Sequence, residues 1–205
     1  MIALRKWGID PNSIDAVLLT HLHGDHFGGL PFFIIDAQLH SKRKAALIVG
    51  GPPGTPERLA VAMEAFFPKS TQIQRAFEVR HVEWHPRERI QAGPAFVTPF
   101  PAMHACGAPP FSLRVELGGR CVTYSGDTEW TPALPEAASN ADLFVCECLM
   151  YEKAVKFHLD HGTLRAHADE LKPNRMVLTH MGPEVLARRM DLAWESADDG
   201  QVIQL

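Results

Sequence analysis

Short, predominantly apolar runs alternate along the first part of the chain with segments whose apolar residues recur at helical spacing. The runs at 14–19 and 46–49 predict buried strands, and the segments at 28–39 and 56–67 predict helices. Pro56 occupies the first turn of the second predicted helix, a position that proline favours. The alternation of strands and helices predicts a layered α/β domain.

The middle of the chain changes to consecutive strands, and its last third returns to alternation. Middle strands are predicted at 77–84, 87–91, 95–100, 111–117 and 120–124. Later helices are predicted at 132–139, 163–171 and 183–190, and later strands at 142–148, 175–179 and 201–205. Thr163 is the predicted N-cap of the helix that follows it. We therefore predict a single α/β domain over 1–205, with a strand meander in the middle and helices packed outside.

Composition adds one unusual feature to an otherwise ordinary folded domain. The 205 residues are 46% hydrophobic and 21% charged, and the formal net charge of −4 argues against a protein that grips long nucleic acid through its phosphates. Four cysteines are too few for a disulfide scaffold, so Cys146 and Cys148 are interpreted as buried small hydrophobes. Histidine is abundant, at 11 residues, which invites a metal hypothesis.

Neither a targeting signal nor a membrane span is predicted. No apolar run follows the charges near the N-terminus, and no run reaches the roughly 18 apolar residues that cross a bilayer. We therefore expect a cytoplasmic protein without a membrane partner. The basic run at 41–44 follows a predicted helix and is interpreted as a solvated corner, with nucleic-acid contact as the minor alternative.

The strongest chemical signal directly follows the first predicted strand and reads Thr-His-Leu-His-Gly-Asp-His-Phe-Gly-Gly-Leu-Pro. His21 and His23 are two residues apart, so extended backbone directs both side chains to one face. The next glycine permits a sharp turn, after which Asp25 and His26 can face the same region. Imidazoles with a carboxylate are the ligand set for zinc, iron or manganese.

This H-x-H-x-D-H segment resembles the metallo-β-lactamase superfamily, and its full form resembles the ribonuclease Z-like phosphodiesterase branch. Later motifs follow in the order of that family: His104 after a Pro-Ala-Met loop, the Ser-Gly-Asp-Thr segment at 125–128, and the Leu-Thr-His-Met segment at 178–181. The resemblance spans roughly the whole chain and implies an αββα sandwich.

The resemblance also implies two divalent metal ions, with Zn²⁺ first and Mn²⁺ or iron as alternatives. Its motifs place His21, His23 and His104 on one ion, Asp25, His26 and His180 on the second, and Asp127 between the two ions. It implies that a metal-bridged hydroxide attacks the substrate. Asp25 is expected to act as a catalytic residue as well as a metal ligand.

Two further residues receive roles from the resemblance. His161, in a His-Gly-Thr segment, is similar to the branch's His-x-Thr motif and is the expected proton donor to the leaving oxygen. His158, three residues earlier, is the rival candidate and is interpreted as a surface residue. Glu147, at the end of the strand predicted at 142–148, is expected to lie just behind the metal ligands.

The sequence departs from the family pattern in two places. Few residues precede Ile14, so we expect a sandwich that lacks N-terminal strands or is completed by a partner chain, and the exposed sheet edge predicts a homo-oligomer. Only 23 positions separate His104 from Asp127 (127 − 104 = 23), too few for the arm that clamps tRNA in tRNA-processing members. A tRNA substrate is therefore not expected.

The resulting hypothesis is a binuclear metal-dependent hydrolase of a small phosphodiester, cyclic or nucleotide-like. One alternative is hydrolysis of a carboxylic ester, a lactone or a thioester. A second alternative is a truncated member that binds metal without turnover. Asp127 stands where metallo-β-lactamases proper carry a cysteine, which argues against antibiotic hydrolysis.

Overall fold

The computed structural model describes residues 1–205, which form seven α-helices and ten strands. The helices are α1 (Ile2–Lys6), α2 (Gly24–Phe27), α3 (Gly29–Leu39), α4 (Thr55–Phe66), α5 (Ala133–Ala138), α6 (His161–Ala166) and α7 (Pro183–Ala187). The strands are β1 (Ala16–Leu18), β2 (Leu47–Gly51), β3 (Val79–Glu83), β4 (Ile90–Ala92), β5 (Ala95–Pro101), β6 (Phe111–Leu117), β7 (Arg120–Tyr124), β8 (Leu143–Glu147), β9 (Met176–Thr179) and β10 (Glu195–Ser196). None of the helices combines the length and the apolar character that a bilayer crossing requires.

The strands form two sheets. The smaller sheet has the order β1-β2-β3 and is parallel, with β1 at an edge and paired on one side only. The larger sheet has the order β10-β9-β8-β7-β6-β5-β4. Strands β7 to β10 are parallel, as in alternating α/β units, whereas β4 to β7 form the predicted antiparallel meander.

Three apolar clusters hold these sheets and helices in four layers. The first cluster includes Ile34 of α3, Met63 of α4 and Val49 of β2, and so joins two helices to the smaller sheet. The second cluster lies between the sheets around fully buried Trp84. The third packs α5 and α6 on the larger sheet, with Phe144 at its centre. The layers run helix, sheet, sheet, helix, which is the predicted αββα sandwich.

Two predicted elements near the C-terminus were wrong. Residues 201–205 form no strand, and the last strand is the two-residue β10 beside β9. Helix α6 begins at His161 rather than after Thr163, because the Asp160 carboxylate accepts the Thr163 N–H at 2.8 Å and is the N-cap. With this helix start, His161 lies in the first turn of α6 and His158 lies in the segment before the helix.

The basic run at 41–44 also differs from its interpretation as a solvated corner. Lys44 is exposed, but Arg43 is buried and its guanidinium donates to the carbonyl oxygens of Ala45 and Ala46, each at 2.9 Å, and of Pro11 at 3.3 Å. Arg43 therefore ties the N-terminal segment to the approach of β2, where its charge is satisfied by backbone oxygens rather than by water.

Candidate metal centre

Strand ends from both sheets meet at one edge of the sandwich. The Trp84 indole donates to Leu19 O at 2.8 Å, and the Phe111 N–H donates to Thr20 O at 3.0 Å. These two bonds fix the residues after β1 against β3 and β6. Because the remaining candidate ligands also follow strand ends, the histidine-rich loop and the later motifs converge at this edge.

Gly126 sets how closely these strand ends approach one another. Its φ is +59°, a conformation that glycine adopts freely, and a Cβ built on it would lie 2.8 Å from Thr20 Cβ. Thr20 Oγ1 lies 3.1 Å from Nδ1 of fully buried His21. The other ring nitrogen of His21, Nε2, therefore faces the cluster.

The first group of donors joins His21, His23 and His104. His104 Nε2 lies 3.0 Å from His23 Nδ1, and its Nδ1 lies 2.9 Å from Phe157 O. A carbonyl oxygen can only accept, so Nδ1 of His104 carries the proton and Nε2 presents a lone pair to the group. This is the form of histidine that binds a metal ion.

The second group joins Asp25, His26, Asp127 and His180. His26 Nε2 lies 3.3 Å from Asp127 Oδ1 and 3.5 Å from Asp25 Oδ2. His180 Nε2 lies 3.7 Å from Asp127 Oδ2 and 3.9 Å from Asp25 Oδ2. Asp127 Oδ2 also lies 3.9 Å from Nε2 of both His21 and His104, so one carboxylate faces both groups.

All seven residues predicted as ligands thus lie together, and their donor atoms fit divalent cations. His21 Nε2, Asp127 Oδ1 and His180 Nδ1 are buried without a hydrogen-bond partner, which is costly unless something else satisfies them. Donors at about 2.0–2.1 Å from one zinc ion lie roughly 3.3 Å apart in a tetrahedron. The spacings of 3.0–3.9 Å observed here are of that size.

The electrostatics favour the same protonation states. Burial, followed by the neighbouring His26, lowers the pKa of His21 to about 3, so its imidazole is neutral near pH 7. Burial alone would raise the pKa of Asp127, but the imidazoles of His26, His180 and His21 around the carboxylate outweigh it and lower the pKa to about 2. A neutral imidazole beside an ionised carboxylate is the ligand state that divalent metals require.

Glu147 and His158 contact each other directly beside the two donor groups. Glu147 is fully buried, and its Oε2 lies 3.0 Å from His158 Nδ1 and 3.5 Å from His180 Nδ1. The His158 ring stacks on the His180 ring at a centroid distance of 5.6 Å, and His158 Nδ1 lies 3.9 Å from Asp127 Oδ2. Glu147 therefore lies behind the ligands, where the sequence placed it, and holds His158 at the centre.

The placement of His158 and His161 corrects the sequence interpretation. His161 lies in neither donor group; its buried Nε2 accepts the Ala193 N–H at 3.0 Å, and its ring stacks on Tyr151 at 4.9 Å. The assignment of the proton donor to His161 does not fit this position. The interpretation of His158 as a surface residue is wrong, since its side chain is only 18% exposed and faces Glu147. Capping by Asp160 is the sequence signal that could have separated the two histidines.

Comparison with known proteins assigns the family. A family model described as a β-lactamase superfamily domain matches residues 4–181. The chain belongs to the metallo-β-lactamase superfamily.

The relatives themselves are longer proteins of related architecture. An uncharacterised protein of Mycobacterium leprae is 29% identical over 179 residues, which cover 85% of this chain and 61% of that protein. This chain therefore spans about three fifths of the length of that relative. A ribonuclease Z of Mycobacterium bovis is 27% identical over 206 residues, covering 87% of this chain and 71% of the enzyme. The human tRNase Z short form superposes with a TM-score of 0.73 at 23% identity, over 98% of this chain and 83% of that structure, which confirms the fold.

Proposed function

We propose that this chain is a binuclear metal-dependent hydrolase that acts on a small phosphodiester. The observation that carries the proposal is the position of Asp127, whose two oxygens face both donor groups at 3.3–3.9 Å. A carboxylate placed between two groups of donor side chains suits a pair of divalent cations, because its negative charge reduces their mutual repulsion. Zn²⁺ is the first candidate, and Mn²⁺ or iron can also take this donor set.

One ion would be held by His21, His23 and His104, a second by Asp25, His26 and His180, and Asp127 faces both groups. Such ions would supply a nucleophilic water and stabilise charge on the reacting oxygens. The chain's own residues set where this happens. Asp25 is the most exposed of the ligands, with 66% of its side chain accessible, so its carboxylate borders the entrance to the site. This position makes Asp25 the ligand best placed to contact substrate or water directly.

His158 is the proposed proton donor to the leaving oxygen. Its Nδ1 faces the buried Glu147 carboxylate at 3.0 Å, which fixes the orientation of the ring. Its Nε2 makes no hydrogen bond within the protein and is free to give a proton to substrate. Departure of an alkoxide from phosphorus is assisted by such a donor, so the pair suits a phosphodiester substrate.

The surroundings of the site favour a small substrate over tRNA. A cavity of about 390 Å³ opens beside Asp25, His26 and His180, which is a volume suited to a small molecule. Between His104 and Asp127 the chain forms only a loop and the β6–β7 hairpin, with no additional arm. One relative is named a ribonuclease, and RNA is a phosphodiester. From this relative we propose only the phosphodiester chemistry for this chain, not the RNA substrate.

The proposal is tested with purified protein that has been stripped of metal and reloaded with zinc. Bis-p-nitrophenyl phosphate and 2′,3′-cyclic nucleotides are assayed beside a lactone and a thioester at equal concentration. We expect metal-dependent turnover of at least one phosphodiester. Turnover confined to the lactone or thioester would contradict the phosphodiester proposal and support ester hydrolysis instead. No turnover of any substrate by zinc-loaded protein would contradict the proposal that the chain is an enzyme.

We also propose that the protein is a homo-oligomer. Strand β1 leaves one edge of the smaller sheet unpaired, and exposed edges tend to pair with another chain. Light scattering on the purified chain should give the mass of at least a dimer. A monodisperse monomer at micromolar concentration would contradict this proposal without affecting the one on catalysis.

A further inference from the structure

A short chain of hydrogen bonds links Glu129, which no motif includes, to the candidate metal centre. Glu129 Oε1 accepts the backbone N–H of Phe157 at 2.6 Å. The carbonyl oxygen of the same residue, Phe157, accepts the Nδ1–H of His104 at 2.9 Å. A single peptide segment is thus held between a carboxylate on one side and a candidate ligand on the other.

The backbone of Phe157 needs such support. Its φ is +72°, in the left-handed region that residues with a side chain rarely adopt. Conformations of this kind persist only where the surroundings stabilise them. The Glu129 side chain supplies the acceptor for the Phe157 N–H at 2.6 Å and so holds the backbone in this conformation. No other side chain bonds to this N–H.

Glu129 is itself fixed to the segment that carries His104. Its N–H donates to Met103 O at 3.0 Å, and the Met103 N–H donates to Thr128 Oγ1 at 2.9 Å. Glu129 also makes no ion pair that could draw its carboxylate elsewhere. Glu129 therefore joins the residue before His104 through its backbone N–H and the residue before His158 through its carboxylate.

We propose that Glu129 is a positioning residue that sets the orientation of His104 and His158 through the backbone of Phe157. Phe157 O accepts a hydrogen bond from the His104 Nδ1–H, so the position of this oxygen determines the direction of the Nε2 lone pair. Phe157 also directly precedes His158, so its φ determines where that ring enters the site. The inference rests on the proposed function, because His104 and His158 matter together only in a metal-dependent hydrolase.

Zinc affinity and the cobalt spectrum test this role without relying on turnover. Zinc affinity is measured by competition with a chromophoric chelator, and the d–d absorption of the Co²⁺-loaded protein reports the ligand geometry. We expect Glu129→Ala to weaken zinc binding by roughly 10–100-fold and to alter the cobalt spectrum, as is typical when a residue that orients a ligand is lost. Glu129→Gln keeps an oxygen acceptor and should stay within about threefold of wild type. The matched control is Glu88→Ala, which removes an exposed glutamate without a side-chain partner.

A second variant separates positioning from a general loss of structure. Asparagine tolerates the left-handed region better than phenylalanine, so Phe157→Asn in the Glu129→Ala background should recover part of the zinc affinity. Unchanged affinity and spectrum in Glu129→Ala would overturn the inference, and so would a Glu129→Gln variant as weak as Glu129→Ala. Wild-type protein that binds no zinc would instead overturn the proposed function and this inference with it.

Discussion

Alanine substitution of His158 should impair catalysis, whereas alanine substitution of His161 should impair stability, although the two residues are only three positions apart. His158 faces buried Glu147 at 3.0 Å beside the donor groups, whereas His161 accepts the Ala193 N–H away from them. His158→Ala should therefore lower kcat, and His161→Ala should lower the free energy of unfolding.

The expected magnitudes follow from these contacts. A positioned proton donor contributes about 10²–10⁴-fold to a rate, so His158→Ala should reduce kcat on a cyclic nucleotide by at least about 100-fold. His161→Ala removes a buried ring, its stacking on Tyr151 and the acceptor of the Ala193 N–H. Together these losses amount to about 2–4 kcal/mol, or roughly 5–15 °C in melting temperature for a domain of this size.

The assay pairs steady-state kinetics with thermal unfolding of the zinc-loaded variants. The rate is normalised to folded protein, so that instability of His161→Ala does not imitate a loss of chemistry. The loss in His158→Ala should also be smaller with p-nitrophenyl substrates, whose leaving group needs little protonation. A His161→Ala variant with normal stability and a 100-fold lower kcat, beside an active His158→Ala, would refute this reasoning.

Three further substitutions probe other parts of the account. His104→Ala should lower the zinc content, because it removes one donor of the first group, and unchanged zinc in elemental analysis would contradict the ligand assignment. Gly126→Ala should destabilise the fold by about 2–4 kcal/mol in urea unfolding, since φ is +59° and the new Cβ meets Thr20; a loss below about 0.5 kcal/mol would contradict this. Arg43→Met should cost about 2–4 kcal/mol in the same assay by removing a buried donor from three carbonyl oxygens, whereas Lys44→Met, on the exposed neighbour, should change stability by less than about 0.5 kcal/mol.

The sequence predicted that these side chains would lie together, because the information in the histidine-rich segment is local. The spacing of His21, His23, Asp25 and His26 after a strand restricts where these side chains can point, and the later motifs each follow another strand end. Parallel strands bring such ends to one edge of a sheet, so the convergence of distant residues followed from topology. The alternation of strands and helices predicted only a layered α/β domain, and the αββα order was expected from the family resemblance.

The parts that the sequence did not predict depend on long-range contacts. The Asp160 carboxylate accepts both the N–H and the hydroxyl of Thr163, so α6 begins at His161 and His158 lies in the segment before it. The contacts of His158 with Glu147 and of His161 with Ala193 join residues 11 and 32 positions apart. The burial of Arg43 depends on backbone carbonyls contributed by Pro11, 32 residues away. Periodicity carries no information about either contact, because neither repeats along a helix or a strand.

The central claim is that the two donor groups hold a pair of metal ions on either side of Asp127. Its most direct test is the zinc content of the full chain, stripped with chelator, reloaded and measured by elemental analysis against protein concentration. The account predicts two zinc ions per chain in the wild type. A reproducible content of one ion or none, in protein that is folded by circular dichroism, would contradict it.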